Sequence, residues 1–437
     1  MTQPDLDANV TAGDRDRLAV RSSLANRRAD LPLRFWRQHV HYTTPAADAA
    51  MARKAVEGGT APVGRTLERL GLTATDLAAR LEVAPELVTA RLAAPSRAPL
   101  VMLDGEDAIA PGAEMAARAV EIAAATFVEA DWGGSLRTYR PPGLDGDSTV
   151  RDLYALLWRL RERTPAGTPL PLDAIVFPKV EHPEEVDLVN GLLDRAEAAL
   201  DLAPGSIRVA YLVESGWAAA QLAEIAQRAA PRLASLIFGI ADFSADLGLP
   251  AIGTEHPLAD WARAELVAVA GAVGVPAIDG MTLDYPVTDP ALDAAANRDR
   301  WLDRMRLAYD DAVRARDLGM LGKWVGHPAQ LFAVLLAFEA GFTDEAIERE
   351  TAKLAAYDAA VAAEQGATMI AGVMSDRATD RHARAVLRQA AAMGRLEPDR
   401  AVTLGVIGSA ERADAARAWA ATHPGADAGA DARADAG

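Results

Sequence analysis

The stretch Arg208–Gly248, RVAYLVESGWAAAQLAEIAQRAAPRLASLIFGIADFSADLG, carries a pattern that recurs along the chain. Two apolar runs, Arg208–Val213 and Ala234–Gly239, show no polar alternation, which is how strands covered on both faces read. Between them Trp217–Ala229 is rich in alanine and other good helix formers. Each run gives way to an acid, Glu214 in LVESG and Asp242 in GIADF, 28 positions apart. Strand, crossover helix and strand make a parallel βαβ unit.

Working outward, six more runs read as strands: Gln38–Thr43 (QHVHYT), Leu100–Leu103 (LVML), Ser135–Tyr139 (SLRTY), Ala174–Pro178 (AIVFP), Ala277–Met281 (AIDGM) and Lys323–Val325 (KWV). Helix-like stretches such as Pro183–Ala199, Pro257–Val273 and Ala329–Ala340 follow most of them. Eight such units predict an α/β TIM (β/α)8 barrel rather than an open sheet. The expected organisation is a polar segment at 1–30, the barrel at 31–340 with a helical N-terminal insert at about 45–98, and a C-terminal helical extension at 341–423. Residues 424–437, PGADAGADARADAG, are a low-complexity tail expected to be disordered.

Composition removes several classes of function. The 437 residues include no cysteine, so disulfides, thiolate metal sites, Fe–S ligation and a cysteine nucleophile are excluded. Acidic residues number 62 against 45 basic ones, a formal charge of −17, which argues against nucleic-acid or anionic-membrane partners. No apolar run approaches the roughly 20 residues needed to cross a bilayer. The opening MTQPDLDANVTAGDRD lacks a basic stretch followed by an apolar one, which predicts a cytoplasmic location. Leu72–Leu92 superficially resembles a helix-turn-helix, but its acids Asp76, Glu82 and Glu86 outnumber Arg80 and Arg91, so it reads as an inserted helical cap.

Charged residues collect where the strands stop: Asp104, Glu106, Asp107, Arg137, Lys179, Glu181, Glu214, Asp242, Asp279 and His327. In a barrel the carboxyl ends of the strands form the active face, so these residues predict one charged mouth. Neighbouring strands lie about 4.8 Å apart, close enough for Glu214 and Asp242 to reach one ion. Without thiols and with few histidines, oxygen ligands favour Mg²⁺ or Mn²⁺ over zinc. Such a cation keeps open positions for a 2-oxo acid and stabilises an enolate as a Lewis acid. Arg137 in SLRTYR reads as its electrostatic partner, or else as a structural arginine paired with the LDGED carboxylates. Lys179 in FPKVE would pair with the same carboxylates and tune the metal's surroundings. His39 and His41 flank Val40 in the first strand and are expected on one face, where His41 could act as a general base. His327 and His182 each precede a proline at a helix start and read as architectural.

The ordered segments MLDGEDAIAPGAEMAAR, SLRTYR, AIVFPKVEHPEEV, YLVESGWA, LASLIFGIADFSADLG, VPAIDGMTLDY and LGKWVGHPAQL resemble the HpcH/HpaI aldolase and citrate lyase β-subunit family from about Leu100 to Phe338. The resemblance implies a metal-dependent barrel that makes or breaks a carbon–carbon bond through an enolate. Carried over by position, it implies Glu214 and Asp242 as Mg²⁺ ligands, Arg137 steadying the enolate, and Glu106 and Asp107 as the acidic pair after the second strand. GVMSDRATDRHARAVL resembles the C-terminal motif of the malyl-CoA lyase branch, which implies Asp376 as an acid/base serving a neighbouring subunit and hence a homo-oligomer. Three departures stand out: Gly105 replaces an apolar residue, Thr138 and Tyr139 follow Arg137 where a small apolar residue and asparagine are usual, and FWRQHVHYTTP replaces a short strand with a Pro-Gly turn that helps receive coenzyme A. The expected activity is a lyase or aldolase on a hydroxyacyl-CoA thioester or a free 4-hydroxy-2-oxo acid. The competing class is a non-catalytic regulatory or binding protein on a barrel scaffold.

Overall fold

The structure, a computed structural model, describes residues 30–144, 147–253, 255–370 and 373–423. The expected 1–30 segment, apart from Asp30, and the expected tail at 424–437 lie outside the described residues. Eight parallel strands close into a barrel in chain order: β1 (Val40–Pro45), β2 (Leu100–Asp104), β3 (Leu136–Arg140), β4 (Ala174–Phe177), β5 (Arg208–Val213), β6 (Leu233–Phe238), β7 (Ala277–Asp279) and β8 (Gly322–Val325). Closure comes from β1, which pairs with β2 on one side and β8 on the other. Each expected strand is present, with its ends moved by no more than two residues. β2, β4 and β6 are buried along their whole length, which is the physical origin of their unbroken apolar runs. β4 stops at Phe177 because Pro178 has no N–H to continue a ladder.

The insert after β1 folds into α1 (Ala49–Gly58), α2 (Pro62–Leu70), α3 (Ala74–Leu81) and α4 (Pro85–Ala93). The outer layer is α5 (Ala113–Glu129), α6 (Asp147–Arg163), α7 (Pro183–Ala199), α8 (Gly216–Ala220), α9 (Leu222–Ala229), α10 (Ile240–Asp246), α11 (Pro257–Val273), α12 (Ala294–Leu318) and α13 (Pro328–Glu339). Thr73 and Asp76 form a capping box that starts α3. Leu77, Leu81 and Val88 then pack with Trp301 and Met305 of α12 and Phe332 of α13. The apolar face of the helix-turn-helix-like segment is therefore covered by the barrel's own helices, as a cap requires.

The C-terminal extension comprises α14 (Asp344–Ala362), α15 (Arg377–Ala392), α16 (Pro398–Thr403) and α17 (Arg412–Thr422). It also holds an antiparallel hairpin, β9 (Ala367–Ile370) and β10 (Val373–Asp376), where helices alone were expected. Four-residue strands are too short to show a period of their own. Ile347, Leu354, Leu387 and Leu396 build a separate core that takes in Leu33 of the 3₁₀ helix Leu33–Arg37. The residues just ahead of β1 thereby fasten the extension to the barrel. Among the described residues, no helix is long and apolar enough to cross a membrane.

Candidate active site at the carboxyl end of the barrel

Glu214 directly follows β5, and Asp242 stands in the first turn of α10 after β6. Glu214 is 3% exposed, and its Oε1 accepts the Lys179 N–H at 2.7 Å. Lys179 adopts φ +53°, a left-handed conformation that costs a side-chain-bearing residue energy and marks a built position. On the other side, a Cβ at Gly239 would lie 2.6 Å from Glu214 Oε2, so glycine is what lets β6 pass this close. Burial first, and the nearby Asp242 second, push the Glu214 carboxyl up to about 8, against weaker opposing effects of Arg140 and the Lys179 N–H.

The other half of the site comes from β2 and β3. Asp104 and Arg140 close these strands opposite one another in register. Arg140 Nε lies 2.8 Å from Asp104 Oδ1 and Nη2 lies 2.5 Å from Oδ2, a two-pronged grip that fixes the guanidinium plane. Nη1 is 2.8 Å from Glu106 Oε2 and 3.4 Å from Asp107, and the guanidinium carbon stands 5.3 Å from the Trp324 ring centroid. Lys179 Nζ sits 2.7 Å from Glu106 Oε1 and 3.5 Å from Asp107 Oδ1. Glu106 thus bridges Arg140 and Lys179. Burial raises its carboxyl above the ordinary value, although both cations oppose the shift.

Five carboxylates face two cations here, and the cations are engaged by Asp104, Glu106 and Asp107. Among the described residues, neither Glu214 nor Asp242 has a lysine or arginine within ion-pair distance, and Glu214 feels the charge of Asp242. No group of three or more acidic or histidine side chains among the described residues could hold a metal by itself. Two carboxylates suit Mg²⁺ nonetheless, because that ion commonly keeps waters and takes one or two protein carboxylates plus substrate oxygens.

The sequence has relatives that carry the same arrangement's fold. Residues 103–418 match a family described as a domain of unknown function (DUF6986). L-malyl-CoA/beta-methylmalyl-CoA lyase of Cereibacter sphaeroides is 33% identical over 314 residues, covering 68% of this chain and 89% of the relative. The chain belongs to the citrate lyase β-subunit-like family, on its malyl-CoA lyase branch. The lyase of the same name in Rhodobacter capsulatus is 32% identical over 315 residues, 68% of this chain and 89% of that one. A solved citrate lyase from Burkholderia xenovorans LB400 superposes with a TM-score of 0.54 at 25% identity, covering 76% of this chain and 91% of that one. This is a family of carbon–carbon lyases, and the chain is an enzyme of that class.

Within this member of the citrate lyase β-like family, the structure brings together Glu214, Asp242, Glu106, Asp107 and Lys179. It does not bring in Arg137. Arg137 precedes Arg140 by three positions, and alternation along a strand puts residues an odd number apart on opposite faces. Arg137 sits at the level of Val101, stacked 5.5 Å from the Trp132 ring, while its backbone N–H donates to Asp173 at 2.8 Å. Arg140, which ends the same strand, occupies the place expected of Arg137.

His41 is likewise remote from the mouth. It lies four positions before Pro45, which pairs with Asp104, so it sits about 13 Å lower along the strand. Its Nε2 is 2.9 Å from Gln38 Oε1, and burial lowers its pKa to about 3, so it stays neutral at ordinary pH and is unsuited to the base role. His39 precedes β1, so strand alternation does not place it with His41; it lies near Glu339, Arg91 and Arg395 instead. Asp279 turns outward to Arg263 Nε at 2.6 Å and Lys323 Nζ at 2.7 Å, in a buried network that Asp311 completes. His327 accepts the Ala329 N–H at the start of α13, and His182 stands ahead of Pro183 at the start of α7, both as expected. Asp376 caps α15, its Oδ1 accepting the N–H groups of Ala378 and Thr379.

Gly105 and Tyr139 fit one another sterically. A Cβ at Gly105 would overlap the Tyr139 hydroxyl and lie 3.0 Å from the Arg140 carbonyl oxygen. An apolar residue at 105 and a tyrosine at 139 are therefore incompatible. Gly105→Ala is expected to lower the thermal midpoint by several degrees, and Tyr139→Phe to restore part of the loss by removing the hydroxyl. Additive effects of the two substitutions would contradict the contact.

Proposed function

We propose that this chain is a divalent-cation-dependent lyase that cleaves a 3-hydroxyacyl-CoA thioester of the malyl-CoA type through an enolate. The carrying observation is the pair Glu214 and Asp242, two carboxylates with no lysine or arginine at ion-pair distance among the described residues, in a chain 33% identical to an L-malyl-CoA lyase over 89% of that protein.

Glu214 and Asp242 would hold Mg²⁺ or Mn²⁺ between them. When bound, the ion supplies Lewis acidity toward the hydroxyl and carboxylate oxygens of the substrate. Arg140, fixed by Asp104 and Glu106, offers a fork preorganised for the negative charge that gathers on the thioester oxygen. Lys179 keeps Glu106 and Asp107 neutralised and, through its backbone N–H, orients Glu214. A carboxylate base takes the hydroxyl proton, the carbonyl of the aldehyde acid forms, and the broken bond's electron pair passes into the thioester enolate. Protonation at carbon then releases the shortened acyl-CoA.

Asp376 of a second copy is the proposed proton carrier. Hydrogen bonds from the backbone N–H groups of Thr379 and Ala378 keep its carboxyl below the usual range and so ionised. Met369 and Met374 on the same hairpin are 64% and 62% exposed, as fits a surface that a second copy covers. This reading makes the active protein a homo-oligomer.

The test is a cleavage assay of the full chain with Mg²⁺ or Mn²⁺, following the aldehyde acid released from malyl-CoA, beta-methylmalyl-CoA and free 4-hydroxy-2-oxo acids. Turnover of a CoA thioester that stops with a chelator and resumes with Mg²⁺ is the expected result. Cleavage confined to the free acids would overturn the thioester assignment, and absence of turnover with every substrate would sink the enzymatic reading of this site. Mixing inactive Glu214→Ala and Asp376→Ala chains should restore activity, because half of the mixed sites would then be intact; no recovery would remove Asp376 from a shared site.

A further inference from the structure

We propose that the amino-terminal end of the barrel carries a second site, which binds a small ligand through a dianionic phosphate group. A cleft of about 250 Å³ opens there between the 3₁₀ helix ahead of β1, the start of β3, the segment entering β4, and α17. Its charged lining is Arg34, Arg37, Arg137 and Arg417 against Asp173 and Asp414. Four arginines around one cleft stand out in a chain of net charge −17.

The pairings decide what the cleft lacks. Arg34 Nη2 lies 2.8 Å from Asp173 Oδ1, and Arg417 pairs with Asp414. Those pairs cancel and leave Arg37 and Arg137. Arg37 Nη1 reaches the Gly134 carbonyl oxygen at 3.3 Å and has no carboxylate at ion-pair distance among the described residues. Arg137 rests on Trp132 and likewise has none. Burial lowers the pKa of both guanidinium groups; the nearby carboxylates Asp414, for Arg37, and Asp173, for Arg137, oppose the shift, and the like charges of Arg417 and Arg34 add to it. Two partly desolvated cations with no carboxylate at ion-pair distance among the described residues cost stability that a bound dianion would relieve. Guanidinium forks match the oxygen geometry of phosphate, and a phosphate places both negative charges on one compact group. The volume falls just below the roughly 300–1,000 Å³ usual for drug-sized ligands, which fits a phosphate with a small organic body.

The site is distinct from the mouth. Arg137 stands near the start of β3, whereas Arg140 at its end belongs to the lyase centre. Its walls come from the barrel, from the residues ahead of β1, and from the C-terminal extension. Occupancy would tie that extension to the barrel, so the ligand would stabilise the packing of the two.

Calorimetric titration of the full chain with inorganic phosphate and with glycerol 3-phosphate separates free phosphate from a phosphate monoester, with succinate as the dicarboxylate comparison. One saturable site per chain is expected. Arg37→Gln and Arg137→Gln should each weaken it by about tenfold or more, the loss of a charge-assisted hydrogen bond. Glu214→Gln should leave it unchanged, which makes the result independent of the lyase reading. If Arg137→Gln does not fold, Arg37→Gln carries the test. No saturable phosphate binding, binding untouched by the arginine substitutions, binding lost in Glu214→Gln, or equally tight succinate binding would each overturn the proposal.

Discussion

Arg140→Gln lowers kcat for thioester cleavage by about a hundred- to a thousandfold, while Arg137→Gln leaves it within about twofold; the first figure is the usual cost of removing one preorganised donor to a developing oxyanion. The two arginines share a strand and differ in the face they present. Arg140 closes β3 beside Asp104, Glu106 and the Trp324 ring, and Glu214 feels its charge. Arg137 lies beside Trp132 and Asp173, toward the other end. Removing the Arg140 charge also leaves Asp104, which is 1% exposed, without its counterion, and a broken buried pair costs about 3–5 kcal/mol. Thermal melts must therefore accompany the kinetics. Arg140→Lys supplies the folded comparison: it keeps the charge and loses the fork, so kcat should still fall while the midpoint largely recovers. The reverse ranking, with Arg137→Gln crippled and Arg140→Gln active, would return the catalytic arginine to the position that motif matching alone suggests.

The same pair shows what a sequence can and cannot disclose. The barrel was legible because parallel strands are covered on both faces and so run apolar without interruption, as β5 and β6 do. Glu214, Asp242, Glu106, Asp107 and Lys179 were legible because each follows a strand end, where topology alone brings side chains to one rim. Arg137 failed at finer grain. The end of β3 had to be known to within one residue for parity to separate it from Arg140, and strand ends are what sequence fixes least. A usable signal was present: Asp104 and Arg140 are an acid and an arginine that close adjacent strands. His41 failed by depth, since a residue in a strand can be right in type and lie several positions below the mouth. Asp279 failed by face, because Arg263 and Lys323, 16 positions before it and 44 after, claim it from the outer side. No local pattern announces partners at such separations.

In metal-free protein, Glu214→Gln should match the parent near pH 4.5 and become the more stable chain as pH rises toward 8 and above. The sign follows from where the proton sits. Unfolded, the Glu214 carboxyl titrates near its ordinary 4.5; folded, burial and then Asp242 hold it up to about 8. Below 4.5 both states carry the proton and the group favours neither. Between 4.5 and 8 the folded state keeps a proton that the unfolded state has released, so folding stability falls as pH rises. Above the upper value the whole cost is present, on the order of a few kcal/mol, because each tenfold difference in proton affinity between the two states corresponds to about 1.4 kcal/mol. Glutamine has the same shape without the titration, so it escapes the loss. Urea melts in the presence of a chelator, run across this pH range, should show the two stabilities diverging; parallel curves would mean that Glu214 is not held protonated by its site. Adding Mg²⁺ at the alkaline end should then raise the midpoint of the parent and leave Glu214→Gln nearly unmoved. A carboxylate that destabilises the fold when it ionises alone beside Asp242 is one whose ionised form a divalent cation can reward, so the stability lost with rising pH and the metal affinity gained have one origin.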